Sequence, residues 1–174
     1  MTAVEWNGRD RGTWEESLER TAAVINLAGE PIAARRWPKK RKQLIVESRV
    51  NATQLLARAI SCASGRPRVF ISASGVGYYG TSPDRRFDER DGPGSDFFAD
   101  LCQSWEGVAL AAQSHNTRVI CLRIGMVLDK EGGALAKMVP PFRAFVGGPI
   151  APGTQWVSWI HRVDLIGLVE WVLA

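Results

Sequence analysis

Two serines and two tyrosines surround a glycine-rich turn in the middle of the sequence, and their oxygens are the groups best suited to chemistry. Ser72 and Ser74 end a run of apolar and β-branched residues, and Tyr78 and Tyr79 follow just before Gly80. Ligands of open parallel sheets bind at the carboxyl ends of strands. The serine hydroxyls can therefore bind a ligand or cap local backbone, and the phenols can transfer a proton or pack against the turn.

An arginine and a histidine–aspartate pair are further candidates. Arg123 ends an apolar run, so its guanidinium can meet a phosphate or carboxylate of a ligand, or pair with an acidic side chain of the fold. His161 lies three residues before Asp164, which permits a catalytic pair. A histidine that precedes a helix and an aspartate that caps it are more often structural. We favour the structural interpretation of both features.

Three other features have a plain and a functional interpretation. Cys102 is a reactive thiol only if a base lies close, and we favour a buried, inert cysteine. Trp156 and Trp159 either wall a pocket or pack in the core. Six cations fall within residues 35–42, at the start of a predicted helix, where the helix dipole disfavours positive charge. This cluster is either a solvated helix start or an anion or nucleic-acid patch, and it lacks the wide basic face of a nucleic-acid binder.

The elements that would position these groups alternate between strands and helices. Short β-branched runs that end at glycine or at turn residues predict buried parallel strands, and longer segments with apolar residues at helical spacing predict helices. We predict strands over 4–6, 23–28, 69–74, 118–124 and 156–160, and helices over 14–20, 39–61, 96–114, 135–145 and 165–173, with N-caps at Thr13, at Ser95 or Asp96, and at Asp164. This alternation indicates a parallel sheet covered by helices on both faces, in a single domain over 1–174.

The composition indicates a folded chain and excludes several classes of protein. Of the 174 residues, 45% are hydrophobic and 23% charged, which is ordinary for a protein with a core. Cys62, Cys102 and Cys121 are widely spaced, so we expect reduced thiols and no metal site. No apolar run approaches the roughly 20 residues that span a bilayer, so we expect no membrane segment. A net charge of +4 does not by itself indicate nucleic acid.

Several motifs occur together in an order that is typical of one family. They are Asn26-Leu27-Ala28-Gly29-Glu30, the serine- and tyrosine-bearing run 72–80, Leu122-Arg123-Ile124-Gly125 and Trp159-Ile160-His161-Arg162-Val163-Asp164, together with the helix motif Arg49-Val50-Asn51-Ala52-Thr53. With these motifs the chain resembles the atypical extended short-chain dehydrogenase/reductases of the NAD-dependent epimerase/dehydratase superfamily. Within that superfamily it is most similar to epimerase-like proteins, some of which are called SulA-like cell-division inhibitors.

The resemblance implies a fold, a cofactor and a set of site residues. The fold is a Rossmann-like, doubly wound α/β sheet, and the cofactor is NADP or NAD. Ser74, with Ser72 as the alternative, would hydrogen-bond a substrate carbonyl, and Tyr78 or Tyr79 would replace the family tyrosine; we assign the catalytic positions to Ser74 and Tyr78. The predicted cofactor-binding residues are Asn26, Ala28, Gly29, Ser72 and Arg123. Of these, the family places the first three beside the ribose on the nicotinamide side.

One departure from the family pattern concerns the ends of the chain. Family members begin with a strand, a GxxGxxG-type loop and a helix, which together hold the cofactor pyrophosphate. Here Gly75, Gly77 and Gly80 follow a different strand, have a different spacing and precede a loop. Family members also continue beyond the last helix. We therefore predict a domain that is truncated at both ends, lacks the first glycine-rich βα unit and binds a dinucleotide weakly or not at all by itself.

Another departure concerns the Tyr-xxx-Lys pair of the family. There, the lysine lowers the pKa of the tyrosine, so that the phenol serves as an acid or a base. Alignment on Glu106 puts Phe98 at the tyrosine position and Cys102 at the lysine position. Phenylalanine has no hydroxyl and cysteine has no fixed positive charge, so the usual proton relay is absent from these positions. Whether the chain belongs to an enzyme is left open by this result.

Three functions follow as expectations from these features. The first is an NAD(P)-dependent oxidoreductase or epimerase-like protein that acts on a small molecule of unknown identity. The second is a non-catalytic nucleotide-fold protein that acts in cell division by binding. The third is a module that contacts nucleic acid through residues 35–42, which we do not favour. We expect a dinucleotide and a small-molecule substrate as partners, leave a homodimer open, and expect a cytoplasmic location, or the stroma or matrix of an organelle.

Overall fold

The computed structural model describes residues 3–32, 37–65, 67–149 and 152–174. They fall into two compact units, one within residues 1–80 and 92–123 and the other within 81–91 and 124–174. The single domain over 1–174 remains a prediction.

The first unit is built on a three-stranded sheet in the order β1-β2-β3. The strands are β1, Ala23–Asn26; β2, Val69–Gly75; and β3, Arg118–Ile124. β1 and β2 are parallel, with Ala23 opposite Val69 and Asn26 opposite Ser72. Parallel neighbours need a crossover connection, and helix α1, Lys39–Cys62, lies between the two strands in the chain. This arrangement confirms the predicted α/β class and the parallel pairing.

Helices of the first unit begin where the local chemistry favours a start. Helix α2, Phe97–Leu110, is capped by Asp96, whose carboxylate accepts hydrogen bonds from the backbone N–H groups of Phe98 and Ala99. An oxygen-bearing residue at this position satisfies donors that have no partner inside the helix. Helix α1 begins directly after Pro38. A 3₁₀ helix spans Thr13–Arg20, and a short one, Val76–Tyr79, follows β2 directly.

One face of the three-stranded sheet packs against α1 and α2, and polar side chains lie at the carboxyl end of this face. Val24 and Phe70 are opposite each other in the register, and Phe70 is fully buried in a cluster with residues of both helices, among them Ile60 and Ala109. Side chains alternate between the faces of a strand. Asn26, Ser72 and Ser74 therefore share the face of Phe70, at the carboxyl end of the sheet.

The second unit contains a two-stranded parallel sheet and two helices. Strand β4, Met126–Asp129, pairs with β5, Trp159–His161, and the helices are α3, Gly133–Arg143, and α4, Arg162–Leu173. His161 caps α4, because its Nδ1 atom accepts a hydrogen bond from the N–H of Val163 at 3.3 Å. Within the described part of the chain, no helix is long and apolar enough to cross a membrane.

Four sequence-based expectations need correction. Residues 4–6 do not form a strand; Trp6 packs on Trp14 instead, with ring centroids 5.5 Å apart. Strand β4 was not predicted, because its four residues are too few to show a period. Thr13 and Asp164 were predicted as N-caps, but both lie inside their helices, and Gly12 and His161 occupy the cap positions.

Candidate functional site

Four side chains at the carboxyl ends of β2 and β3 form one hydrogen-bonded group, which we call the Glu106 network: Ser74, Tyr79, Glu106 and Arg123. The Ser74 hydroxyl donates to Oε1 of Glu106 at 2.6 Å. Arg123 donates from Nε to Oε1 and from Nη2 to Oε2 of the same carboxylate, each at 2.9 Å. The remaining Nη1 of Arg123 donates to the phenol oxygen of Tyr79 at 2.9 Å. The network therefore links a strand-end hydroxyl to a phenol through a bidentate ion pair.

The ion pair of the Glu106 network is largely shielded from solvent. Side-chain exposure is 20% for Arg123 and 9% for Glu106. The hydrogen bond to Glu106 raises the pKa of Arg123 and outweighs the opposite effect of desolvation, and the bond to Tyr79 acts in the same direction as that to Glu106. Bidentate arginine–carboxylate pairs are among the strongest polar contacts in proteins. Arg123 is therefore a fixed cation at this end of the sheet.

Tyr78 contacts the same guanidinium through its ring rather than its oxygen. The Cζ atom of Arg123 lies 3.4 Å from the centroid of the Tyr78 ring, a cation–π contact. The turn that carries the ring is held by a hydrogen bond from the N–H of Gly94 to the carbonyl of Tyr78. Gly80 ends the turn with a φ of 72°, in the region that favours glycine. A Cβ atom on Gly94 would lie 2.8 Å from the Gly80 backbone, so both glycines are needed for this geometry.

Beside the Glu106 network, a buried threonine joins β1 to both long helices. The Thr53 hydroxyl oxygen accepts from Nδ2 of Asn26 and from Nε1 of Trp105, both at 2.7 Å. The Asn26 carbonyl accepts from the N–H of Ala28 at 3.2 Å. Asn26 is 3% exposed, so both ends of its amide are used inside the fold. It fixes the chain at Ala28, and its role toward a cofactor stays a prediction.

A cleft of about 550 Å³ lies where the chain leaves β1. Its lining is Trp6, Asn7, Gly8, Arg9, Ala28, Gly29, Glu30, Leu44, Glu47, Ser48, Asn51 and Ala52. The indole Nε1 of Trp6 is shielded from solvent and has no hydrogen-bond partner within the described part of the chain. A Cβ atom on Gly29 would lie 2.9 Å from Cζ of Arg49, so glycine allows the close packing of α1 here. Ala28 and Gly29, two predicted cofactor-binding residues, therefore border an open cleft.

The structure places Ser72 away from this cleft. Ser72 is 1% exposed, and its hydroxyl donates to the carbonyl of the adjacent Ala73 at 3.3 Å. The structure thus brings Ser74, Tyr78 and Arg123 together and puts Ala28 and Gly29 at the cleft. Ser72 and Asn26 are buried inside the fold.

The thiols near the site are held in their neutral form. Burial raises the pKa of Cys102, and hydrogen bonding with Ser74 only partly offsets this effect. Burial likewise raises the pKa of Cys121 from 9.0 to about 11, with the nearby Glu106 charge acting in the same direction. Thiolates, not thiols, are the nucleophiles. The geometry thus supports the interpretation of Cys102 as an inert cysteine.

These thiols should differ sharply in alkylation. At pH 8, iodoacetamide should modify the exposed Cys62 first, and Cys121 should react about 100-fold more slowly, since its raised pKa lowers the thiolate fraction by that factor. Peptide mass spectrometry over a time course measures each site separately. In urea all three thiols should react at similar rates, which serves as the control. Equal labelling of Cys62 and Cys121 in the native protein would contradict the raised pKa of Cys121.

Part of the predicted basic segment is engaged within the fold. Arg41 donates from Nη1 to Glu30 at 2.5 Å and from Nη2 to the carbonyl of Pro31 at 2.6 Å. The Nζ atom of Lys42 lies 4.7 Å from the centroid of the Phe97 ring. Arg35 and Arg36 lie outside the described residues. Two of the cations at the start of α1 therefore serve intramolecular contacts.

The aromatic and histidine candidates of the second unit lie on its surface. Trp156 is 84% exposed and donates from Nε1 to the carbonyl of Pro83 at 2.9 Å. Trp159 is 61% exposed. Asp164 lies in the first turn of the helix that His161 caps. Among the described residues, no group of three or more His, Cys, Asp or Glu side chains is arranged to hold a metal ion.

Two residues of the site, Glu106 and Thr53, were not predicted from the sequence. Glu106 served only to align α2, although it follows Cys102 by four residues and therefore lies on the same face of the helix. This position on the helix, together with an arginine at the end of the strand 118–124, could have predicted the ion pair between Glu106 and Arg123. Thr53 gave no comparable signal, since its partners Asn26 and Trp105 are 27 and 52 residues away in the chain.

Comparison with known proteins places the whole chain in one group of sequences. Residues 2–174 match the model of the NAD dependent epimerase/dehydratase family. The chain is 46% identical over 162 residues to the chloroplastic homolog of epimerase family protein SDR39U1 of Arabidopsis thaliana, and this match covers 92% of the chain and 46% of that relative. The chain thus spans about half the length of this relative.

Solved structures give the same result for the fold. The human epimerase family protein SDR39U1, solved with NADPH, aligns with a TM-score of 0.84 and 37% identity, over 91% of this chain and 56% of that one. A nucleoside-diphosphate sugar epimerase from Corynebacterium glutamicum aligns with a TM-score of 0.75 and 32% identity, over 95% of this chain and 34% of that one. These similarities confirm the Rossmann-like α/β fold expected from the sequence.

Proposed function

The chain belongs to the NAD dependent epimerase/dehydratase family, and on that premise we propose that it is part of an NAD(P)-dependent oxidoreductase or epimerase-like protein of unknown substrate. The observation that carries this proposal is the cleft at the carboxyl end of β1, bordered by Ala28 and Gly29. The human relative that was solved with NADPH gives independent support. We propose NADP or NAD as the cofactor, and a small molecule as the substrate.

The cleft fits part of a dinucleotide. Its volume of about 550 Å³ is within the range of small-molecule sites. The Trp6 indole offers a shielded donor with no partner in the described part of the chain, and Ser48 and Asn51 add polar atoms to the lining. The run 75–80 forms a 3₁₀ turn followed by a loop, so it does not offer the helix N-terminus that holds a pyrophosphate. The described residues thus offer a cleft for part of the cofactor, but no helix N-terminus at 75–80 for its pyrophosphate.

The chain's own residues would orient a substrate and handle its proton. A bound nicotinamide cofactor supplies or takes a hydride. Ser74 already donates its proton to Glu106, so its oxygen meets a ligand with lone pairs and accepts a hydrogen bond from a substrate hydroxyl. Arg123 and Tyr78 form a cation–π contact, which keeps the guanidinium of Arg123 in place beside Ser74. We propose that Ser74, Tyr78 and Arg123 belong to the substrate site.

Titration with NADPH, followed by nicotinamide fluorescence, tests the proposal. We expect saturable, weak binding that Asn51→Phe reduces at least about tenfold, because the ring would occupy the cleft. Gln54→Phe is the matched control, since Gln54 is an exposed residue of the same helix and is absent from the cleft lining. Equal effects of the two substitutions would overturn the placement of the cofactor in this cleft, and the absence of saturable binding would overturn NADPH binding by this chain on its own.

A second function remains as an alternative, namely a non-catalytic protein that acts by binding in cell division. Phe98 and Cys102 favour it, since they occupy the positions of the family's tyrosine and lysine. The Phe98 ring is packed edge-on against Trp37, with centroids 4.9 Å apart, and Cys102 is 4% exposed. NADPH binding without any turnover would support this alternative. We propose a cytoplasmic location, or the stroma or matrix of an organelle, and a homodimer as the assembly to test.

A further inference from the structure

We propose that Tyr79 is the proton-transferring phenol of this site and that Arg123 supplies the cation beside it. Together they would take the place of the family's tyrosine and lysine, whose positions hold Phe98 and Cys102. The inference rests on the proposed function, because it names the acid–base group of the same site. It is carried by the contact between Nη1 of Arg123 and the phenol oxygen of Tyr79, at 2.9 Å.

The two adjacent tyrosines present different atoms to the same cation. Tyr78 offers the face of its ring, with the guanidinium carbon 3.4 Å from the centroid. Tyr79 offers its oxygen, and the guanidinium carbon lies 5.0 Å from its ring centroid. A cation that donates to an oxygen favours the negative charge that forms there when the proton leaves. Only Tyr79 receives this stabilisation directly, so the geometry points to Tyr79 rather than Tyr78.

The Glu106 network holds Arg123 in the orientation that this role requires. Two parallel bonds to the Glu106 carboxylate use the Nε and Nη2 edge of the guanidinium and leave Nη1 directed at Tyr79. Glu106 is fixed in turn by the Ser74 hydroxyl at 2.6 Å. The planar guanidinium makes these contacts with separate N–H groups, which a single ammonium group could not reproduce. Glu106 is accordingly a positioning residue.

The proton transfer by Tyr79 accompanies the oxidation of an alcohol substrate to a carbonyl compound, or the reverse reduction. In the oxidising direction, the substrate C–H bond breaks and its hydride passes to an oxidised nicotinamide. The substrate O–H bond breaks as well, and its proton passes to the Tyr79 phenolate. The products are a carbonyl compound, a neutral phenol and the reduced nicotinamide. In the reducing direction the same proton returns from Tyr79 to the oxygen that becomes the alcohol.

Nitration by tetranitromethane tests the assignment without cofactor or substrate, because this reagent attacks the phenolate form of tyrosine. The chain has two tyrosines, Tyr78 and Tyr79, so peptide mass spectrometry reports each rate directly. At pH 8 we expect faster nitration of Tyr79 than of Tyr78, because the Arg123 guanidinium donates to the oxygen of Tyr79 and covers the ring of Tyr78. In urea the two rates should become equal, which shows that the difference arises from the fold.

Variants of the network separate charge from packing. Arg123→Lys should slow nitration of Tyr79 about tenfold, because one ammonium cannot serve both Glu106 and the phenol. Arg11→Lys is the matched control, since Arg11 belongs to an exposed ion pair outside the Glu106 network, and it should leave the Tyr79 rate within about threefold. If Arg123→Lys fails to fold, the double variant Glu106→Gln/Arg123→Met removes both charges and should give the same slow rate. Far-UV circular dichroism verifies the fold of each variant.

The inference is overturned if Tyr78 reacts as fast as Tyr79 in the folded protein, or if the Arg123 variants leave the Tyr79 rate unchanged. Its failure is distinct from failure of the proposed function, which the NADPH titration measures. If nitration of Tyr79 is fast and depends on Arg123, but the protein does not bind NADPH, the assignment of Tyr79 and Arg123 is supported and the proposed cofactor is rejected. If the protein binds NADPH but Tyr78 and Tyr79 are nitrated at equal rates, the proposed cofactor is supported and the assignment of Tyr79 and Arg123 is rejected.

Discussion

Replacing Arg123 with methionine should lower the free energy of unfolding by about 3 kcal/mol. The substitution removes the guanidinium but leaves the Glu106 carboxylate, which is 9% exposed, without its counter-ion. A charge that is buried and uncompensated is far more costly than the net value of the pair. Tyr79 also loses a donor. Urea unfolding followed by far-UV circular dichroism measures the change.

Two further variants show whether the uncompensated carboxylate is the cause. The double variant Arg123→Met/Glu106→Gln should recover about 2 kcal/mol, since the amide carries no charge to be stranded. Arg11→Met removes an arginine from an ion pair whose side-chain exposure is 74% at Arg11, and its cost should be much smaller than that of Arg123→Met. Equal losses for Arg123→Met and Arg11→Met would mean that the Glu106–Arg123 pair is not enclosed as described.

Replacing Thr53 with valine should also lower the free energy of unfolding by about 3 kcal/mol. Valine has the shape of threonine without the hydroxyl, so packing is retained while two buried donors lose their acceptor. These donors are Nδ2 of Asn26 and Nε1 of Trp105, each 2.7 Å from the threonine oxygen. Leaving a buried donor unsatisfied costs about 1–3 kcal/mol. The same urea unfolding experiment provides the measurement.

Thr53→Ser is the matched control for this prediction. Serine retains the oxygen and loses only a methyl group, so we expect a cost of about 1 kcal/mol. A valine variant as stable as the serine variant would show that the shared hydroxyl does not stabilise the junction of β1 with the two helices. Because Asn26 fixes the N–H of Ala28, Thr53→Val should in addition weaken NADPH binding at the cleft, whereas Thr53→Ser should not.

Local signals predicted much of the fold. β3 was predicted with its observed bounds, 118–124, because a short, mostly apolar and β-branched run that is followed by glycine depends only on nearby residues. The start of α2 was predicted at Ser95 or Asp96, and Asp96 caps it, since capping is chemistry between adjacent residues. The strand expected at 4–6 failed for the opposite reason. Strand formation requires a pairing partner elsewhere in the chain, which three residues cannot reveal.

The candidate site was less predictable, since its contacts are non-local. Ser74, Tyr78 and Arg123 could be selected by type and position, because each stands at or just after the end of a predicted strand. What connects them is Glu106, which is 32 residues from Ser74 and 17 from Arg123. No periodicity relates residues on two strands and a helix. The role of the carboxylate therefore became visible only with the fold.

The enclosure of the Glu106–Arg123 pair has a consequence for ionic strength. Mobile ions screen exposed charges over about 3 Å at 1 M salt, so the Arg11–Glu15 pair on the surface should lose what little it contributes. Ions cannot enter the space between Arg123 and Glu106, whose contacts are 2.9 Å long and shielded from solvent. The Glu106 network, which links Ser74 to Tyr79, should therefore retain its geometry at 1 M salt as in dilute buffer.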